Sequence, residues 1–440
     1  MITGTHSGCG KTTVTCALLK ALQARGFSPT AFKCGPDYID PMFHRHSIGV
    51  PSYNLDPFFC QAEQLNNRIA QYAGDISLLE GAMGYYDGIG PEGYCSTYDV
   101  AHQTRTPAVL VIDIKGMYTS AGAVLQGFLN FKNPSGIQGV IFNNASPQLY
   151  AGLTSIAAKT GVKPLGFLPR ESQVTIASRH LGLVSAGEIN DIEEKLTLLG
   201  TLAEEYIDME GLLALSASAP ELEASPPDIR SRGPVRIAVA RDKAFCFMYE
   251  ENLELLTALG GEIVFFSPLD DTALPDDIGG LYLGGGYPEL HLEALSQNTA
   301  MLEAINRAIQ DGMPTIAECG GFLYLHDRLD DFPLARVIHA QAYKTHKLSR
   351  FGYVTLHAQQ DNLLGSAGDS IRAHEFHYYE STDSGADFVA QKPWSDRNWP
   401  CIHTTPTLYA GFPHLYLEAN PVFAQNFVRK AREYATRSFT

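Results

Sequence analysis

The chain has 440 residues, 45% of them hydrophobic, and a formal net charge of −16 at pH 7. That length asks for two or three domains, while the acidic balance argues against non-specific binding to nucleic acid or an anionic membrane, and no apolar run reaches spanning length. The eight cysteines are scattered without Cys-x-x-Cys spacing, and no signal peptide precedes the first glycine-rich loop, so a reduced, cytoplasmic setting is expected, with neither a disulfide framework nor a zinc site.

The first expected element is a strand with room only for Met1, Ile2 and Thr3, so either it is very short or the natural chain begins upstream. The loop Gly4-Thr5-His6-Ser7-Gly8-Cys9-Gly10-Lys11-Thr12-Thr13 follows. Val14, Leu18 and Leu22 then recur at helical spacing, and Gly26 supplies the stop. A glycine-rich loop between a strand and a helix turns backbone N–H groups toward phosphate oxygens. Gly8 and Gly10 give the backbone that freedom, Lys11 reaches terminal phosphates, the Thr12 hydroxyl can hold Mg²⁺, and Thr13 completes the motif. The spacing departs from the usual phosphate loop by one residue, with Thr5 at the first-glycine position and Gly4 one further back.

Further strands are expected at Ser28–Lys33, Ile76–Leu79, Ala108–Ile112, Gly139–Phe142 and Pro164–Leu168. Their alternation with helical patterns implies an α/β domain with a mostly parallel sheet over residues 1–215. Two acidic segments end such strands, one running from Lys33 through Asp37 to Asp40 and one from Glu80 to Asp87. Ligands bind at the carboxyl edge of open α/β sheets, where Asp37 and Glu80 can complete Mg²⁺ coordination around a triphosphate. Turn capping is the plainer use for each of these acids taken singly.

The stretch 216–234, rich in Ser, Ala and Pro, reads as a linker. A second α/β pattern opens at Val235–Val239 and fills 235–440, with strands expected at Glu262–Phe266, Gly280–Leu283 and Thr315–Ala317 and a β-rich, aromatic portion after Tyr343. Its centre is Ala317-Glu318-Cys319-Gly320-Gly321-Phe322. A cysteine between an apolar strand and a Gly-Gly turn can sit at a strand-to-helix elbow, its sulfur exposed and the following N–H groups turned to an oxyanion. The run Gly284-Gly285-Gly286 brings bare backbone near a ligand, so an N–H of Gly285 or Gly286 is expected to join that of Gly320 in an oxyanion hole. Cys319 needs thiolate character from an imidazole and a helix N-terminus. His414 is the expected base, with His374 and His377 as competitors.

Taken in order, the loop at Gly4–Thr13, Phe32–Pro41, Glu80–Gly88, Arg179–Leu183, Arg241–Phe245, Phe266–Leu269, Gly284–Glu289, Ala317–Tyr324, His374–Tyr378 and His414 resemble the family of cobyrinic acid a,c-diamide synthases over nearly the whole chain. The resemblance implies a P-loop synthetase domain similar to dethiobiotin synthetase followed by a class I glutaminase domain. It implies amidation of the a and c carboxylates of a corrinoid with ATP, Mg²⁺ and two glutamines. Cys319 and His414 would release ammonia. Gly8, Gly10, Lys11, Thr12, Thr13 and Lys33 would lie around the nucleotide, Thr12, Asp37 and Glu80 around the metal, and Asp40 and Asp87 toward the acceptor carboxylate. Many class I glutaminases carry Glu two residues after the base, where Tyr416 stands here, although the corrinoid branch lacks that Glu as well. Relatives often have Gly at His6 and Val at Cys9. Hydrogenobyrinic acid and nickel-sirohydrochlorin are alternative acceptors for the same chemistry, and a partitioning-type ATPase switch is the rival of another class. Such switches place Lys where His6 stands and have no use for Cys319. Monomer and homodimer are both compatible with this set of residues.

Overall fold

The computed structural model describes residues 1–171, 178–179, 182–183, 192–225 and 233–438. The chain divides into two compact units, Met1–Pro226 and Pro227–Thr440. Residues 226–232 of the expected linker lie outside the described residues, as do His180 and Leu181 of the Arg179–Leu183 string. A helix at Met209–Ser216 ends where that linker was expected to begin.

The first unit is built on seven strands, β1 (Ile2–Gly4), β2 (Pro29–Cys34), β3 (Ser52–Leu55), β4 (Ile76–Glu80), β5 (Ala108–Asp113), β6 (Ile137–Ala145) and β7 (Lys163–Pro169). They pair in parallel in the order β3-β2-β4-β1-β5-β6-β7. The expected strands appear within a residue or two of their ends, except that β6 runs three residues past Phe142 to Ala145. Strand β3 was not anticipated: Ser-Tyr-Asn-Leu has no apolar run, and its alternation lasts only the length of this short strand. Leu110, Val111 and Ile112 of β5 are wholly buried, as a parallel strand covered on both faces requires. Helix α1 (Lys11–Ala24) buries Val14, Leu18, Leu19 and Leu22. Each contributes roughly 1.5–3 kcal/mol on leaving water. The strand order reverses around β1, so the loops after β1, β2 and β4 meet at one carboxyl edge.

Among the described residues the second unit contains three sheets, of six, four and five strands, and the first and last of these carry the site. Gly261–Phe266, Val235–Ala240, Ile278–Leu283, Thr315–Glu318 and Leu408–Gly411 pair in parallel in that order, with His403–Thr404 added antiparallel. Alternate residues point to opposite faces. Ile237, Val239, Tyr282 and Ile316 join one core, whereas Ala238, Ala240, Leu281, Leu283 and Ala317 join the other. The β-rich portion after Tyr343 supplies the five-stranded sheet. There Arg350–Ala358 pairs antiparallel with Ser370–His377, which in turn pairs with His414–Leu415.

Candidate active site

In the first unit Gly8 and Gly10 both have φ in the left-handed region, at 85° and 101°. Gly10 caps α1, so Lys11, Thr12 and Thr13 form its first turn, where helix N–H groups lack intrahelical partners. A Cβ on Gly10 would lie 2.1 Å from Asn143 Nδ2, and that amide donates to the Cys9 carbonyl at 3.0 Å. Asn143, on β6, thus props the loop from below. The Lys11 ammonium donates to the carbonyls of Met83 and, at 3.0 Å, His6.

Under this loop is a buried charged cluster. Lys33 and Glu80 are register partners on β2 and β4. The Lys33 ammonium contacts Asp40 and lies 2.9 Å from Glu80 Oε1, which also accepts from the Thr12 hydroxyl at 2.6 Å. His44 Nε2 is 3.3 Å from Glu80 Oε2. Burial alone would raise the Glu80 carboxyl, but Lys33, His44 and Thr12 outweigh it and hold it well below the usual range. Burial would lower Lys33, yet Asp40 and Glu80 keep it well above its ordinary value. One ammonium cannot satisfy two carboxylates, and burial pushes Asp40 up.

This arrangement corrects several expectations. Asp40 does not face an acceptor: it is buried against Lys33. Lys33 is itself buried beneath Glu80 rather than reaching outward. Asp37 Oδ1 accepts from the N–H groups of Ile39 and Asp40 at 2.8 and 3.1 Å, the turn-capping use of an aspartate. Asp87 is exposed and caps Gly84 N–H at 2.9 Å. Thr12 and Glu80 do come together as expected. Their oxygen donors suit a hard cation such as Mg²⁺, which takes few protein ligands and completes its shell with phosphates and water. His44 and Asn143 escaped sequence reasoning because neither lies in a recognisable motif.

In the second unit Cys319 ends the strand Thr315–Glu318 and caps the short helix Gly320–Tyr324 with φ 46° and ψ −99°. A non-glycine residue there is strained, as at a nucleophile elbow. Neither following position has room for a side chain. A Cβ on Gly321 would lie 2.2 Å from the Leu283 carbonyl, and one on Gly320 would lie 3.0 Å from Gly286 N. The Gly285 position touches the base, since a Cβ there would be 2.4 Å from His414 Cε1. Elbow, glycine turn and His414 are therefore contiguous.

The two expected oxyanion donors differ. Gly285 N–H donates to the Phe247 carbonyl at 3.1 Å and the Gly285 carbonyl accepts from the Phe247 N–H at 3.0 Å, so the role of this glycine is to leave room for His414. Gly286 N, facing the Gly320 position, is the better donor. His374 and His414 are register partners on neighbouring strands. His377 stacks on Phe412 at 3.9 Å and its Nδ1 donates to the Tyr379 carbonyl at 2.6 Å, an engaged structural histidine. His374 sits edge-on to Tyr353 and Phe351. Only His414 of the three meets the Gly285 turn in the contacts around that glycine.

The thiol is not the exposed, acidified group expected. Cys319 is 8% exposed, and burial, with Glu289 nearby, pushes it up, against a lowering hydrogen bond from Gly320 N–H. Burial and the neighbouring His374 and His377 hold His414 down to about 3, so its ring rests neutral. Glu318, also missed, lies against this base. Burial raises it to about 8, opposed by hydrogen bonds from Leu415 N–H and Tyr282 OH.

Comparison with known proteins gives two family matches. Residues 1–184 match the CobQ/CobB/MinD/ParA nucleotide binding domain, and residues 236–419 match the CobB/CobQ-like glutamine amidotransferase domain. Over its length the chain is similar to proteins named cobyrinate a,c-diamide synthase. That of Listeria monocytogenes serotype 4b is 39% identical over 436 residues, covering 96% of both chains. Those of Caldanaerobacter subterraneus subsp. tengcongensis and Methanothermobacter thermautotrophicus are 35% and 36% identical, each alignment covering 99% of both chains.

Proposed function

The chain belongs to the cobyrinate a,c-diamide synthase family, and from that premise we propose how its residues divide the work of an ATP- and glutamine-dependent amidating ligase of cobalamin biosynthesis. This family assignment removes the partitioning-switch reading. Cobyrinate is the acceptor, taken at its a and c carboxylates. Residues 1–215 are assigned to the synthetase domain, 216–234 to the linker and 235–440 to the glutaminase.

A free carboxylate is a poor acyl donor, so phosphorylation must come first. A carboxylate oxygen of the acceptor attacks the γ-phosphorus of ATP and ADP departs. Ammonia then attacks the acyl carbon and inorganic phosphate leaves. Lys11 and the first-turn N–H groups of α1 hold the phosphates and offset charge on the transferring group. Thr12 and Glu80 would hold Mg²⁺, which when bound adds charge compensation at the phosphates. Lys33 and His44 fix the Glu80 carboxylate from the buried side. Asp37 and Asp87 shape the two loops that flank this edge.

In the glutaminase domain the Cys319 proton passes to His414 as the sulfur attacks the glutamine amide carbon. The N–H groups of Gly286 and Gly320 are placed to stabilise the oxyanion. His414 returns the proton to the departing ammonia, and water then hydrolyses the thioester to glutamate. The observation that carries this reading is the contact between the Gly285 turn and His414 beside the strained Cys319 elbow. We infer a cytoplasmic setting from the eight free cysteines.

The test supplies cobyrinate, ATP, Mg²⁺ and a nitrogen source and weighs the product. Glutamine or high ammonia should each give diamide with the native chain, whereas Cys319→Ala should give it only with ammonia. Failure of the folded Ala variant with ammonia would refute the division into two sites. Hydrogenobyrinic acid and nickel-sirohydrochlorin, offered in the same assay, should be the poorer acceptors.

A further inference from the structure

Tyr416, two residues after the base, offers it no carboxylate, and its ring packs edge-on against Tyr249 at 5.1 Å. We propose that Glu318, directly before the nucleophile, is the positioning residue for His414. Its Oε2 lies 3.9 Å from His414 Nδ1, while Oε1 accepts from Leu415 N–H at 3.1 Å and from the Tyr282 hydroxyl at 3.2 Å. This inference rests on the reading of Cys319 and His414 as the ammonia-releasing pair.

The geometry gives one carboxylate a hold on both halves of that pair. Glu318 is 2% exposed and ends the strand that presents Cys319. Its bond to Leu415 N–H grips the residue next to His414, on a strand of the five-stranded sheet. Tyr282, which is itself bonded to Asn252 at 3.2 Å, keeps the carboxyl from rotating away. A separation of 3.9 Å is longer than a hydrogen bond, and a modest rotation of either side chain closes it, as catalytic contacts tighten when substrate fills a site.

With Nδ1–H turned to Glu318, the lone pair on His414 Nε2 is left for the thiol proton. When Glu318 is ionised, which burial defers to about pH 8, the Sγ–H proton moves to Nε2, an imidazolium forms, and the carboxylate compensates its charge until the proton leaves with ammonia. A purely bracing carboxyl would need only its bonds to Leu415 and Tyr282. The titratable groups facing this pair are Tyr282, Tyr409 and Cys319 around Glu318, and His374 and His377 around His414, with Glu289 and Glu375 acting on the thiol.

Glu318→Gln separates the roles, because its amide oxygen can keep both accepted bonds while its charge is lost. Glutamine hydrolysis by this variant should fall on the order of 10²–10⁴-fold in kcat with KM little changed. The rising limb of its pH–rate profile should shift, and ammonia-driven amidation should persist as evidence of folding. Glu318→Asp should recover part of the rate. A folded Gln variant with the native rate and pH profile would overturn the proposal, as would equal losses in Gln and Asp. If Glu318→Gln does not fold, Tyr282→Phe loosens the same carboxyl and should lower kcat alone; no change would overturn the proposal. Continued glutamine hydrolysis by Cys319→Ala would instead defeat the underlying reading.

Discussion

Gly285→Ala isolates one contact of the glutaminase site. Gly285 has no positive φ, so alanine brings no backbone strain, and the effect is set by what its Cβ meets. That atom would lie 2.4 Å from His414 Cε1, 3.2 Å from Nδ1 and 3.3 Å from Phe247 Cβ. Carbon atoms pack at about 3.5–4.0 Å, so roughly 1 Å must be found. The Gly285 backbone cannot yield easily, being tied to Phe247 by hydrogen bonds in both directions. The imidazole must move instead. A displacement of about 1 Å in a reacting group costs on the order of 10²-fold in rate, or about 2.7 kcal/mol in the barrier. Glutamate release should therefore fall about a hundredfold in kcat, while ammonia-driven diamide formation and the fold persist. A Gly285→Ala enzyme that hydrolyses glutamine at the native rate would refute the placement of His414 as base.

Lys11→Ala should stop diamide formation with glutamine or ammonia while leaving basal glutamine hydrolysis; undiminished ammonia-driven synthesis would remove the phosphate loop from the mechanism. Burial lowers His374 and His414 to about 3 and His326 to about 4, and raises Glu289 to about 7 and Glu318 to about 8. Against unfolded values of about 6.5 for His and 4.3 for Glu, the histidine contribution is lost as pH falls from about 6.5 toward 3, and the carboxyl contribution as pH rises from about 4.3 toward 8. The two offset in between, and the buried Met1 amino group, lowered from 8.0 to about 5, opposes the carboxyl loss toward pH 8, so the unfolding midpoint should drop below about pH 4.3; a midpoint unchanged between about pH 4.3 and 3 would contradict this. With one phosphate loop and one Cys–Gly-Gly elbow, the two amidations should be successive, a monoamide rising and then falling in a mass-resolved time course; diamide formed with no trappable monoamide would count against release between rounds.

What the sequence determined was local. Strand, turn and helix signals are short-range, so the phosphate loop, the elbow and most strands of the two parallel sheets were legible from runs of a few residues. The capping uses of Asp37 and Asp87 were legible in the same way, as the plainer alternative. What tertiary structure decided was every property that depends on a neighbour from another element. The register of β2 on β4 puts Lys33 beside Glu80, and the chain reversal after β2 buries Asp40 and His44 with them, turning an expected acceptor contact into a buried ion pair. Cys319 hangs from one sheet and His414 from another, so only their packing shows that Gly285 serves by its absent side chain and that Glu318 lies against the base. The state of the thiol was likewise invisible, because burial is set by atoms distant in sequence and here outweighs the helix N-terminus that the local motif supplies.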